Sequence, residues 1–211
     1  MNEFVEIKAN KQSISNRRLV YGFGINDADY QVFPTINGKR STCQIYRKWN
    51  SMLSRVYNPS EHARHPTYIG TTLCSEWHLF SNFRKWMEAQ DWKGMELDKD
   101  IIKPGNKHYS PDNCCFVPKP LNNLLLDCGA ARGKYAVGVC FHKVTGKFAA
   151  KCGNNGKRQH LGIFETPEEA SLAYRRYKAN LVAEIAFEQT DERIERGLML
   201  HAALILKGDL N

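Results

Sequence analysis

The chain has 211 residues, of which 42% are hydrophobic and 25% charged, and its net charge is +8 at pH 7. This composition supports a packed core, and no apolar run is long enough for a secretory signal or a membrane span. We therefore expect a cytoplasmic protein with no membrane partner. The positive charge favours an acidic partner, for which nucleic acid is the leading candidate.

Seven cysteines are spread over the chain without any Cys-x-x-Cys pair. Structural zinc sites usually need such close pairs, so we expect reduced thiols and no structural zinc. A zinc ion held by Cys43, Cys74 and the adjacent Cys114 and Cys115 is the alternative.

In chain order, residues 1–42 combine two short apolar runs, RLVYGFGI and YQVFPTI, with turn-forming segments, which predicts an N-terminal β arm. From 43 to 57 the apolar residues recur at spacings of three and four, which predicts an amphipathic helix. A second helix is predicted from about 75 to 89, with an aromatic stripe in the core. That stripe consists of Trp77, Phe80, Phe83, Trp86 and Met87.

The pattern of residues 97–126 predicts strand, loop, strand and helix, and DCGAARGK (127–134) is typical of a linker. Three short β runs follow, and Thr166, Pro167 and Glu169 carry the start signals of a capped helix. A final amphipathic helix is predicted over about 190–206. The predicted organisation is an arm (1–42), a helical and ββα region (43–126), a linker (127–134), a sheet-and-helix domain (135–187) and a C-terminal helix (188–211).

Charge and resemblance both favour DNA binding by the second half. The stretch from Lys134 to Lys178 contains nine lysines and arginines but only three glutamates, which gives +6 of the chain's net charge of +8. A thin antiparallel sheet with one free face can enter the major groove. The segments GV (138–139), GKFAAK (146–151) and LGIFETPEEASLAY (161–174) resemble the plant ethylene-response-factor, or Apetala-type, DNA-binding domain over about residues 135–187.

The resemblance implies that alternate strand residues contact double-stranded DNA. The plant domains place Arg and Trp where this chain has Val137, Cys140 and His160. We therefore expect phosphate contacts to dominate, with sequence read more weakly by Lys151 and Arg158. The candidate DNA-binding residues are Cys140, His142, Lys143, Lys147, Lys151, Lys157, Arg158 and His160.

The segment LDKDIIKPGNKHYSPDNCCFVPKPLNN (97–123), with YRKWNSMLSRVYNP and PTYIGTTLCSEWHLFSNFRKWM before it, resembles the HNH, or His-Me finger, endonucleases of phages. The resemblance implies a site in which one divalent ion, Mg²⁺ or Mn²⁺, lies against the scissile phosphate and a neutral His takes a proton from water. The implied metal ligands are Asp98 and Asn122 or Asn123, and Asn113 supports the loop.

Lys99 occupies the position at which these enzymes carry their catalytic His, and a protonated lysine cannot accept a proton. Three explanations stay open. In the first, His108 or His78 is the base. In the second, Asp100 joins Asp98 as a metal ligand and the ion activates water without a positioned His. In the third, the site is inactive and the fold only binds DNA.

These patterns predict an α+β protein: a His-Me finger-like (ββα) N-terminal body plus a small three-stranded antiparallel sheet packed on one helix. The expected function is that of a phage-type DNA-binding protein that resembles a homing-type endonuclease and, if its site is active, cuts or nicks DNA in the host cytoplasm with a divalent metal. The alternatives are a catalytically inactive regulator or host-takeover factor, and an RNA-binding protein. We expect the leucines of the final helix (198, 200, 204 and 206) to pack on their own domain rather than in a homodimer.

Overall fold

The computed structural model describes residues 4–125, 134–154 and 156–209. Within these residues the protein is a mixed α+β structure with seven α-helices and several small, separate sheets. The chain divides into two units: Met1–Lys99 with Gly105–Phe116 (unit 1), and Asp100–Pro104 with Val117–Asn211 (unit 2). Among the described residues, no helix combines the length and the apolar character needed to cross a membrane.

The first 42 residues contain less strand than the apolar runs predict. Helix α1 (Lys11–Ser15) is followed by a short hairpin of β1 (Thr35–Ile36) and β2 (Lys39–Arg40). The run RLVYGFGI makes only isolated bridges, because the backbone reverses at Tyr21 (φ 51°) and Gly22 (φ 81°). Two successive residues with positive φ form a tight turn, which a continuous strand cannot contain.

The core of unit 1 is built around α2 (Gln44–Tyr57), which confirms the first predicted helix. Its apolar stripe is buried, and the fully buried Trp49 donates its indole N–H to the carbonyl of Trp77 over 2.7 Å. Asn58 then caps α3 (Pro59–Arg64), with Pro59 at the first helical position. The buried residues of α2 are Ile45, Tyr46, Trp49, Met52, Leu53 and Val56.

The second predicted helix is interrupted at Leu79. A 3₁₀ turn (Ser75–His78) comes before it and α4 (Phe80–Glu88) after it. Leu79 is extended (φ −85°, ψ 126°) because it forms a parallel bridge with Ile25, and the amide of Phe80 donates to the Ile25 carbonyl. This long-range pairing has no signal in the helical spacing of the sequence. The predicted aromatic core is confirmed for the buried Trp77, Phe80, Phe83 and Met87, whereas Trp86 is only partly buried.

The segment from 96 to 124 follows the predicted order with one additional strand. The strands pair in twos, with β4 beside β6, and β3 parallel to β5. The helix that follows is short and begins after Pro118. The elements are β3 (Thr72–Leu73), β4 (Glu96–Asp98), β5 (His108–Tyr109), β6 (Cys115–Val117) and α5 (Lys119–Leu124). Of the predicted linker, only Lys134 lies within the described residues.

Unit 2 contains a three-stranded antiparallel sheet in the order β7-β8-β9, packed on α6 (Pro167–Phe187). The capping box of α6 is present, because the Thr166 hydroxyl accepts from the Glu169 amide while the Glu169 carboxylate accepts from the Thr166 amide. The predicted helix start is therefore confirmed. The strands are β7 (Val139–His142), β8 (Lys147–Asn154) and β9 (Lys157–Phe164).

Helix α7 (Glu192–Lys207) packs along α6 and ends at Gly208, whose φ of 90° is typical of a helix C-terminus. It also holds the segment Asp100–Pro104, since the imidazole Nε2–H of the buried His201 donates to the Asp100 carbonyl over 2.9 Å. Leu198 is fully buried, whereas Leu200 and Leu206 are each 48% exposed.

Candidate functional site

Strand pairing places most of the predicted DNA contacts on one side of the β7-β8-β9 sheet. His142 pairs with Lys147, Lys151 with His160, and Arg158 lies opposite Gly153. Cross-strand partners, and residues two apart along a strand, share a face. These side chains therefore lie on one surface, which we call the outer face. Its predicted members are Cys140, His142, Lys147, Lys151, Arg158 and His160.

A β-bulge decides which residues of β9 belong to the outer face. The register shifts between Ala150, which pairs with Gly162, and Lys151, which pairs with His160, so Leu161 is an extra residue. In a regular ladder Lys151 would lie opposite Leu161, and His160 would point to the other face. The bulge thus brings His160 and Arg158 to the side of Lys151.

The opposite face of the sheet packs on α6. The amide of Asn154 donates to the Tyr177 hydroxyl over 3.3 Å. The ring of Tyr174 lies against Gly138, where a Cβ would be 2.1 Å from the nearest ring carbon. Because α6 occupies this face, the outer face is left uncovered by the helix.

The outer face carries positive charge that is only partly neutralised. Lys147 pairs with Glu165, but both side chains are exposed, and such pairs contribute little. Lys151 and Arg158 make no ion pair with any carboxylate in the described part of the chain. The Nδ1 of His142 lies 2.9 Å from the Thr145 hydroxyl. The two remaining candidates are exposed at strand ends: Lys143 in the turn after β7 and Lys157 at the start of β9.

In the nuclease-like segment, Lys99 has a structural contact. It directly follows Asp98, the last residue of β4, and is only 9% exposed. Its ammonium donates to the carbonyl of Asn106 over 3.0 Å, across the loop. The side chain that stands at the expected position of the catalytic base is therefore bonded to the backbone of its own unit.

Asn106 is the centre of this loop, and sequence reasoning missed it. Its amide donates to the carbonyls of Lys99 (2.6 Å) and His108 (2.9 Å), and its Oδ1 accepts from the His108 amide (3.1 Å). The available signal was the Gly-Asn pair, since Gly105 adopts a positive φ of 74° and turns the chain into Asn106.

His108 is held at the start of β5. Its Nδ1 lies 2.8 Å from the hydroxyl of Thr72, its partner across the β3-β5 pair. When that hydroxyl accepts from Nδ1–H, the Nε2 nitrogen is left as the proton acceptor, as a general base requires. The amide of Asn113 donates to the His108 carbonyl over 3.3 Å, so Asn113 contacts the backbone of the candidate base.

His78 is bonded on both ring nitrogens. The Ser75 carbonyl can only accept, so Nδ1 carries the proton there over 3.1 Å. Nε2 then accepts from the Tyr57 hydroxyl over 2.6 Å. This leaves no ring nitrogen of the neutral imidazole to take a proton from water.

An arginine near Asp98 was also missed. Arg55 donates to the Tyr109 hydroxyl over 3.3 Å and lies over the ring of Tyr68, with 5.4 Å from Cζ to the ring centroid. Burial opposes its charge, but the Tyr109 and Tyr68 hydroxyls and the Asp98 carboxylate outweigh burial, and the pKa of Arg55 is raised. The sequence did contain one indication of this residue: Arg55 lies three positions after Met52, within the apolar stripe of α2, where a cation is unexpected.

The predicted metal ligands are divided between the units: Asp98 belongs to unit 1, whereas Asp100, Asn122 and Asn123 belong to unit 2. The Asp100 carbonyl accepts from His201, and the two asparagines lie on α5. Within the described residues, no three His, Cys, Asp or Glu side chains form a group that could hold a metal ion.

The cysteines considered as zinc ligands are free thiols. Cys43, Cys114 and Cys115 are buried, and Cys74 is partly buried. Burial raises the pKa of Cys114 to about 12, with a smaller contribution from the Asp98 charge.

Comparison of the chain with protein-family models, with curated proteins and with solved structures finds no match.

Proposed function

We propose that this protein binds double-stranded DNA through the outer face of the β7-β8-β9 sheet. The observation that carries the proposal is the bulge beside Lys151, which gathers Lys151, Arg158 and His160 on a surface that α6 leaves open. Lysine and arginine side chains of this kind bind DNA phosphates, whereas arginine can also read guanine edges.

The composition of the outer face favours phosphate contacts over extensive base reading. Its strong cations are Lys147, Lys151 and Arg158, and its other predicted members are two histidines and Cys140. A sheet of this kind resembles the Apetala-type domain in the arrangement of three strands on one helix. We expect affinity to depend strongly on salt and weakly on sequence.

We further propose that unit 1 carries a His-Me finger-like nuclease site in which Asp98 is a ligand of Mg²⁺ or Mn²⁺. Arg55, fixed by Tyr109 near Asp98, supplies a positive charge suited to a DNA phosphate. His108 is the proposed base because Thr72 orients its ring and Asn106 and Asn113 hold its backbone. The other metal ligands stay sequence-based predictions.

A second function, DNA binding without cleavage, is favoured by one contact. The Lys99 ammonium is bonded to the Asn106 carbonyl, so it stabilises the loop and does not act as a base. A nuclease fold in which the usual catalytic His has become a structural lysine would then serve a regulator or host-takeover factor.

Plasmid nicking separates the two functions. Supercoiled plasmid is incubated with the protein and Mg²⁺ or Mn²⁺, and the conversion to open circles is followed for wild type, Asp98→Ala and the exposed control Asp91→Ala. The nuclease proposal requires nicking by wild type and Asp91→Ala that is lost in Asp98→Ala. Duplex binding without nicking across metals and pH identifies the regulator. Preference for structured RNA over duplex DNA in competition contradicts both.

If the plasmid is nicked, His108→Gln tests the proposed base. Glutamine can keep a hydrogen bond to Thr72 but cannot take a proton from water. We expect a loss of about 10²–10⁴-fold in nicking rate with little change in DNA affinity. An unchanged rate would remove His108 from the proposed mechanism.

A further inference from the structure

Unit 1 contains a cavity of about 260 Å³ that the outer face and the Asp98 region do not explain. It lies between the N-terminal segment and α2, with Tyr46 on its wall. Two arginines and no acidic residue line it. The arginines are Arg17 and Arg18. Of the other lining residues, Ser13, Asn26 and Gln31 are polar, Phe33 is aromatic and Val32 is apolar.

Arg17 is held rigidly at this cavity. Its Nη1 donates to the carbonyls of Asn26 (2.9 Å) and Ala28 (2.5 Å), and its Nη2 donates to the Tyr30 carbonyl (2.9 Å). A guanidinium has five N–H donors, so three are used here. The Nε–H and one Nη2–H have no partner among the described residues. They belong to adjacent nitrogens, and adjacent guanidinium donors can bind an oxyanion.

The charge at the cavity is not neutralised by the protein. Neither Arg17 nor Arg18 forms an ion pair with a carboxylate within the described residues, and Arg18 is exposed at the cavity. Burial raises the pKa of Tyr46, and the positive charge of Arg17 opposes that rise. The free N–H donors and the uncompensated charge together suit an anion.

An aromatic ring adds a second recognition element. Phe33 is 39% exposed, and its ring lies edge-on to Tyr46 with 5.3 Å between centroids. The Arg40 guanidinium lies over the Phe33 ring at 4.7 Å. Flat, electron-rich groups stack on such ring and guanidinium surfaces, as nucleobases do.

Size and polarity restrict the ligand further. Sites for drug-sized ligands usually have about 300–1,000 Å³, so a cavity of about 260 Å³ encloses only part of a ligand as large as a nucleotide. The side chains of Asn26 and Gln31 offer amide donors and acceptors of the kind that pair with base edges.

We propose that this cavity is a nucleotide-binding site, in which Arg17 and Arg18 bind the phosphate and Phe33 contacts the base. The ligand is a single nucleotide, either free or as an unpaired unit of a strand. The site is independent of the outer face, so it does not rest on DNA binding by the sheet.

The test is calorimetric binding of three probes to the full chain: dAMP, deoxyadenosine and inorganic phosphate. We expect dAMP to bind more tightly than either fragment. Arg18→Gln weakens dAMP and phosphate by about tenfold, the size expected for one charge-assisted hydrogen bond. Phe33→Leu weakens dAMP but not phosphate. Arg47→Gln, an exposed arginine of α2 outside the cavity, leaves all affinities unchanged.

The site is overturned if no probe binds, if dAMP binds no better than deoxyadenosine, or if Arg47→Gln and Arg18→Gln have equal effects. Melting temperatures of the variants show that each is folded. Competition with a single-stranded oligodeoxyadenylate shows which form of the nucleotide the site binds. Displacement of dAMP identifies an unpaired nucleotide of a DNA strand as the ligand, and no displacement identifies the free nucleotide. Lys151→Ala must retain dAMP binding, so failure of the outer face and failure of this site are distinguishable.

Discussion

Asn106 connects three backbone groups of the loop that joins Asp98 to His108. Its side chain bonds the Lys99 carbonyl and both backbone groups of His108, and its own carbonyl accepts from the Lys99 ammonium. Removing it takes this acceptor from the His108 amide and this donor from the two carbonyls, although the His108 carbonyl keeps its bond from the Asn113 amide. The position of the candidate base therefore depends on a residue that does not itself react.

We predict that Asn106→Ala lowers the free energy of unfolding by about 1–3 kcal/mol, the usual cost of leaving buried polar groups unpaired. Chemical denaturation measures this change. The control is Asn180→Ala, an exposed asparagine of α6 without a side-chain partner among the described residues, for which we expect no loss. Equal stability of wild type and Asn106→Ala would show that the loop does not depend on this side chain.

His201 makes the stability of unit 2 depend on pH. Burial lowers the pKa of this imidazole below its usual 6.5, while the Asp100 carbonyl and carboxylate oppose the shift. The folded state thus prefers the neutral ring, and the unfolded state binds the extra proton. The contribution of the neutral His201 to the free energy of unfolding is complete above the unfolded pKa of about 6.5 and is lost as the pH falls from there through the lower folded pKa.

We predict that His201→Gln, which keeps an N–H donor for the Asp100 carbonyl, flattens the decline in unfolding free energy between about pH 7 and pH 5. Denaturation at several pH values measures this slope. The exposed His160→Gln serves as control and should keep the wild-type slope. The account of His201 is wrong if both variants decline as wild type does.

At the scale of secondary-structure elements, the close packing of α6 on the sheet depends on Gly138. Its φ is 76°, and an added Cβ would meet the Tyr174 ring at 2.1 Å and the Lys151 carbonyl at 2.7 Å. Gly146 has a similar φ of 70° but no atom within 4 Å of such a Cβ. The two glycines therefore share the backbone strain and differ only in the clash.

We predict that Gly146→Ala costs about 1 kcal/mol of stability from backbone strain alone. Gly138→Ala should cost a further 1–3 kcal/mol or so, because the helix must move away from the sheet. Thermal or chemical unfolding of the two variants gives the difference directly. Similar losses would mean that Tyr174 does not pack closely over Gly138.

Local signals in the sequence predicted some elements well, and long-range pairing decided the others. The capping box at Thr166 and the apolar stripe of α2 depend only on residues that are a few positions apart in sequence, so both were predictable. The break at Leu79 depends on Ile25, which lies far away in sequence, and the bulge at Leu161 exists only in the pairing of two strands. No periodicity within one segment carries such information.

The candidate sites follow the same rule. Lys151 and Arg158 were predicted because a basic strand is a local pattern. Arg55 and Asn106 were missed because their roles come from contacts with Tyr109 and with the loop backbone. At the cavity, Arg17 is held by the carbonyls of three residues that are separate in sequence, and no sequence motif indicates this arrangement.

For the whole molecule, the distribution of charge is the central feature. Of the net charge of +8, the stretch from 134 to 178 holds +6, and its strands present Lys151 and Arg158 on the outer face. Arg176 is an exposed cation of α6, on the other side of the sheet, and so serves as a control for the cations of the outer face. Only contacts of the outer face with phosphates should release counterions from DNA.

The most direct test is the salt dependence of duplex DNA affinity, measured by fluorescence anisotropy for wild type, the double variant Lys151→Ala/Arg158→Ala, and Arg176→Ala. The outer-face account predicts that the slope of log affinity against log salt becomes shallower by about 0.9 for each lost phosphate contact, or about 1.8 in the double variant. Arg176→Ala should keep the wild-type slope. A double variant with the wild-type slope, or an equal loss in Arg176→Ala, would contradict the account.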